Sequence, residues 1–266
     1  MIYEILSRYK KRGVSMELLN EHNPTISIEK QQEIFEIIQE PWHGSEFYSE
    51  IMFHDLILLL ENIFKQLTNA PFKEQDPIIL VNNFVKSSVK VRKQYFEKFS
   101  GECEEFFDSE KIYRTGYAAL CRQEAMCAGY AEATRMLLAL FNIPSYTLLA
   151  KLPGANKRLL HYLVVAEDDL GNFRILDPER ESSCERKGYN FEQYLDKMNY
   201  ILPDTYFSNN KIGPAGVGEC ALEFLKRETT ISAEGMDGAY QLAKMAKERK
   251  QENVYKIERI KISNWL

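Results

Sequence analysis

A chain of 266 residues with 45% apolar and 27% charged residues has the material for a buried core, which excludes a disordered or fibrous protein. Its net charge of −5 argues against a nucleic-acid partner. The most apolar local run, "LILLL" at 56–60, falls far short of the about 20 residues that span a bilayer, so no membrane partner is expected.

The opening "MIYEILSRYKKRG" places apolar residues before basic ones and shows no cleavage site, unlike a secretion signal. Five cysteines (Cys103, Cys121, Cys127, Cys184 and Cys220) form an odd set without a CxxC pair. Reduced thiols and a cytoplasmic location are the expectation, and an effector exported by a specialised route is compatible with the same composition.

From 28 to about 100 the pattern is helical. "IEKQQEIFEIIQE" puts Ile34, Ile37 and Ile38 on one face and stops at Pro41. "SEFYSEIMFHDLILLLENIFKQL" carries Ile51, Leu58, Leu59, Ile63 and Leu67 at helical spacings, before the loop signal "NAPFKEQDP". "IILVNNFVKSSVKVRKQYFEKF" reads as a third helix despite its β-branched content. This section contains no recognisable catalytic motif.

The middle changes character. From Cys127 to Phe141 the apolar positions fit a helix closed by Asn142 and Pro144. Three strand-like runs follow: "SYTLLAKL" at 145–152, "LLHYLVVAE" at 159–167 and "NFRILD" at 172–177, the last two joined by the turn sequence "DDLG". A helix feeding an antiparallel sheet predicts an α+β fold. Beyond it, "GPAGVGE" at 213–219 reads as a turn, since no Lys-Ser/Thr follows as in a phosphate loop. Helices are expected near 219–228 and 233–250, and "VYKIERIKI" reads equally as strand or helix.

Cys127 sits at the predicted start of a helix, where free N–H groups and the positive dipole end stabilise a thiolate. Ala128 and Gly129 leave little bulk beside it. His161 lies inside a predicted strand among apolar residues, where an imidazole without a partner is costly. Asp177 ends the neighbouring strand, so one imidazole nitrogen can meet its carboxylate and the other Cys127. Each residue also has a plainer role: buried thiol, satisfied core histidine, turn-forming aspartate before proline. Their joint occurrence, in order and on suitable elements, favours a Cys127–His161–Asp177 triad. A metal site built from the same three would lack a fourth group, so neither metal nor cofactor is expected.

The stretch "CAGYAEATRMLLALFNIPSYTLL … HYLVV … GNFRILDPE" resembles the transglutaminase-like superfamily of cysteine enzymes, over about residues 115–180. The resemblance implies a papain-like core, with Cys127, His161 and Asp177 at the three catalytic positions. Asn142 replaces the glycine of the family's "GIP", and "HYL" replaces its "HAW".

The expected organisation is a helical N-terminal section at 1–105 and a catalytic core with C-terminal helices at 106–266. The expected activity is amide processing through a thioester on Cys127, by a protease, amidase or glutamine deamidase acting on a protein or peptide. For that activity the resemblance implies the backbone N–H of Cys127 as one oxyanion donor; the candidate second is Gln123, or Arg122 instead, or neither. The alternatives are an acyltransferase delivering the same thioester to an amine, and an inactive scaffold binding a protein partner.

Overall fold

Polar caps set where most of the helices begin. The computed structural model describes residues 26–40, 48–69, 75–92, 112–151, 160–203 and 231–263. Ser27 accepts the Lys30 N–H to open α1 (Ile28–Ile38), Ser49 the Met52 N–H to open α2 (Glu50–Thr68), and Asp76 the Ile78 N–H to open α3 (Pro77–Ser88). Thr115 opens α4 (Gly116–Cys121) in the same way, directly after a 3-10 turn at Ile112–Arg114. Then follow α5 (Cys127–Leu140), α6 (Pro178–Lys187) capped by Asp177, α7 (Phe191–Leu195) capped by Asn190, and α8 (Gly235–Ser263).

The third expected helix ends early. α3 stops at Ser88, and the alternation of β-branched Val89 and Val91 turns the chain into strand β1 (Lys90–Val91), parallel to β2 (Glu124–Ala125). On α2 the buried face is Leu56, Ile57, Leu60, Ile63 and Leu67. That differs from the expected set: Ile51 is 65% exposed and Leu58 and Leu59 are only half-buried.

The main sheet is antiparallel, in the order β5-β4-β3-β6-β7. Its strands are β3 (Ser145–Lys151), β4 (Leu160–Glu167), β5 (Phe173–Leu176), β6 (Asn199–Ile201) and β7 (Ser232–Glu234). The three expected strands and the hairpin are present. Asp168 Oδ1 closes the hairpin turn by accepting the Leu170 and Asn172 N–H groups at 2.9 and 2.8 Å, with Gly171 at φ 81°. Beyond expectation, β6 and β7 extend the sheet on the β3 side.

Side chains of the sheet divide by parity. Leu149, Tyr162, Val164 and Ala166 join a cluster with α5 and the buried faces of α1, α2 and α3. Leu148, Ala150, Leu163 and Val165 face a second cluster with Ala239, Leu242 and Ala243 of α8. Helix α5 thus lies between the sheet and the N-terminal helices, and every residue from Ala128 to Leu140 is buried. The α+β expectation, with the cysteine-bearing helix against the sheet that carries His161 and leads to Asp177, is met. The bend at 213–219, the helix near 219–228, Cys103 and Cys220 lie outside the described residues; 254–262 is helical backbone of α8.

Candidate active site

Helix α5 is left without the cap its neighbours have. The side chain of Met126 at its N-cap makes no capping hydrogen bond, whereas Ser27, Ser49, Asp76, Thr115, Asp177 and Asn190 all cap theirs. Cys127 is the first helical residue, so its N–H has no intrahelical acceptor. The positive end of the helix is therefore available to an anion at the sulfur. The Met126 N–H donates to the Tyr113 carbonyl at 2.7 Å, which fixes the backbone just before the thiol.

Gly129 plays a different part from the one its small size suggested. A Cβ there would lie 2.7 Å from the Thr115 carbonyl oxygen and 3.0 Å from that of Tyr113. The missing side chain lets α5 pack against the 3-10 turn, and the space is filled by backbone rather than left open for a substrate.

The sheet register explains how His161 meets its partners. β5 pairs only with Val164–Glu167 of β4, so β4 runs on past the end of β5. There the chain turns at Asp177 into α6, beside the imidazole. His161 is 1% exposed and Asp177 2%, with Nε2 and Oδ2 2.7 Å apart. Asp177 Oδ1 at the same time accepts the Arg180 N–H at 3.1 Å as the cap of α6. The turn-forming role of this aspartate and its role beside the histidine are held by one carboxylate, using its two oxygens. α6 is itself anchored to α3, where Asn82 donates to Glu181 at 2.5 Å and Lys86 bridges Glu181 and Glu185 at 3.0 and 2.8 Å.

The sulfur completes the group. Donor atoms of Cys127, His161 and Glu179 all lie within 4.8 Å of one another, and with Nε2 engaged by Asp177 the ring's Nδ1 is left for the sulfur side. Burial opposes charge on His161, but the charge and hydrogen bond of Asp177, with a smaller contribution from Cys127, outweigh it and push the imidazole well above its ordinary value. Cys127 is half-buried. Burial pushes Cys121 up to about 11 and raises Cys184 as well, which leaves both as poor nucleophiles.

Glu179 was not anticipated. It is 4% exposed, and burial raises its carboxyl above the ordinary range, against the charges of His161 and Arg180. The available signal was "DPE": an aspartate cap followed by proline opens a helix, and Glu179 then falls in its first turn beside Asp177. Of the proposed oxyanion donors, Gln123 is exposed at φ 56°, and its carbonyl accepts the Lys90 N–H at 2.8 Å; Arg122 is likewise exposed. The left-handed backbone at Gln123 is uncommon for a residue with a side chain.

No family model matches the chain, and no curated protein matches it. Among solved structures, a transglutaminase superposes with a TM-score of 0.34 at 17% identity, covering 66% of this chain and 37% of the other. A candidate cysteine protease from Cytophaga hutchinsonii superposes with a TM-score of 0.32 at 15% identity, covering 53% and 47%. The chain thus spans less than half the length of either. No family is assigned on likenesses this slight, and the functional reading rests on the site. Among the described residues, no helix is long and apolar enough to cross a membrane.

Proposed function

We propose that this chain is a cysteine-dependent amide-processing enzyme acting on a protein or peptide through a thioester on Cys127. The observation that carries the reading is the convergence of a thiol at an uncapped helix start with an imidazole oriented by a buried carboxylate. In this reading the Cys127 thiolate attacks the amide carbonyl and forms a C–S bond. His161, favoured in its protonated form, gives its proton to the departing nitrogen as the C–N bond breaks. Asp177 holds the ring and balances its charge. Water then attacks the thioester and loses a proton to His161, the C–S bond breaks, and the acid leaves with the Cys127 thiolate and protonated His161 restored.

The Cys127 N–H is the first oxyanion donor in this scheme, and Gln123 is the proposed second. Delivery of the same acyl group to an amine shares the first half of the pathway, so the acceptor decides between hydrolase and acyltransferase. The test is to incubate the protein with a peptide pool, quench in acid and map acyl adducts by mass spectrometry. The expected result is a hydroxylamine-sensitive acyl group on Cys127, missing in Cys127→Ala, whose identity names the substrate. A folded protein that gains no adduct on Cys127 from any pool, or gains it equally in His161→Ala, contradicts the reading.

A further inference from the structure

Glu179 is a buried carboxylate that the fold holds through a long ion pair. It is 4% exposed, and Arg180 Nη2, its ion-pair partner, stands 3.6 Å from Oε1, too far for a hydrogen bond. No described residue donates a hydrogen bond to it, which leaves its oxygens open to a ligand. A further partner can join this carboxylate. Its neighbours identify what: a sulfur and an imidazole nitrogen, each within 4.8 Å.

We propose that Cys127, His161 and Glu179 form a site for a zinc-class divalent ion, which occupies the thiol and silences it reversibly. Thiolate and imidazole donors select a borderline-soft ion over calcium or magnesium, and a Cys/His/Glu set is a three-ligand zinc site with a fourth position open. A tetrahedral zinc site places its donors roughly 3.3–3.6 Å apart. The observed set therefore needs to draw in by about 1 Å, within reach of side-chain rotation. The outer support is already built: Asp177 holds Nε2 of His161 at 2.7 Å, which leaves Nδ1 to ligate and makes the imidazole a better donor. Thiolate and carboxylate together carry the two negative charges that match a divalent ion. Half-buried Cys127 leaves an entry path from solvent. Glu179 takes the third place that Asp177 cannot fill, since Asp177 is committed behind the ring, and the fourth position stays open.

Ion binding stands on the geometry alone; the silencing rests on the function proposed above. The probe is Co²⁺ titrated into the metal-free full-length chain, followed by its thiolate charge-transfer absorption and the visible bands of a four-coordinate ion. One equivalent is expected to bind with the thiolate band, and Zn²⁺ to displace it. Cys127→Ser is expected to lose the band, and Glu179→Gln to weaken binding at least about tenfold, as is Asp177→Asn, which loosens the hold on the His161 ring. Circular dichroism confirms that each variant is folded. One equivalent of Zn²⁺ is further expected to protect Cys127 from alkylation until a chelator is added. A thiolate band that persists in Cys127→Ser, or an affinity unchanged in Glu179→Gln, overturns the site. No thiolate band together with fast alkylation of Cys127 sinks the ion site alone; a band with sluggish alkylation in the metal-free protein sinks the enzyme reading alone.

Discussion

Asp177 contributes two separable things, a helix cap and a charge, and substitutions can divide them. Asparagine keeps the oxygen that accepts the Arg180 N–H but loses the charge beside His161; alanine loses both. Both variants are expected to lose the fast reaction of Cys127. Alanine is expected to cost about 1 kcal/mol more than asparagine in thermal or urea unfolding, the worth of a cap. Equal stability of the two would deny the capping role. The convergence of Cys127, His161 and Asp177 was legible in the sequence because each stands next to a strong local signal: a helix start, an apolar strand, a strand end before proline. Glu179 was not, because α6 (PERESSCERK) has almost no apolar face and offers no periodicity, so the helix that positions Glu179 stayed hidden.

The same contrast holds for whole elements. β3 and β4 are continuous apolar runs bounded by turn residues, and Asn142 at φ 60° closes α5 as its small polar side chain allowed. β6 and β7 have three residues each, too few to show alternation, and exist because the edge of β3 and the face of α8 complete them. Helix α5 makes two predictions. Gly129→Ala forces a Cβ into the Thr115 carbonyl and is expected to cost about 1–3 kcal/mol by urea unfolding, with displacement of the thiol-bearing turn. A stability equal to wild type would mean that the turn yields freely.

Glu132, fully buried in the same helix, accepts the Tyr48 hydroxyl proton at 2.6 Å, while its other oxygen has no hydrogen-bond partner. Burial, only partly offset by the Tyr48 and Gly116 hydrogen bonds, pushes it up to about 8 from 4.5. The folded state therefore binds the proton more tightly than the unfolded chain. The resulting stability is full below about pH 4.5 and is lost as pH rises towards 8, at up to about 1.4 kcal/mol per pH unit. Glu132→Gln, which mimics the neutral form, is expected to flatten this decline in urea unfolding across that window. Parallel profiles for the two proteins would refute it.

At the scale of the molecule, one apolar cluster joins α1, α2 and α3 to α5 and the sheet. The N-terminal helices thus cover the back of the helix that presents Cys127, and α3 anchors α6 through Glu181 and Glu185. A cavity at Ile34, fully buried on α1, is expected to cost about 2–5 kcal/mol on substitution by alanine. The unfolding is expected to remain a single transition when the N-terminal helices and the sheet are followed by separate probes. Two resolved transitions would mean that the N-terminal helices and the sheet melt independently. None of this shared packing was readable from periodicity, which assigns a face to each helix but not the partner it meets.

In the proposed reaction His161, set by Asp177, makes one of five thiols a nucleophile. The most direct measurement is the rate of iodoacetamide alkylation at mildly acidic pH, resolved by cysteine with mass spectrometry. Cys127 is expected to react at least about tenfold ahead of Cys121 and Cys184, and His161→Ala to erase the difference. A Cys127 no faster than those two, or one whose advantage survives without the imidazole, contradicts it.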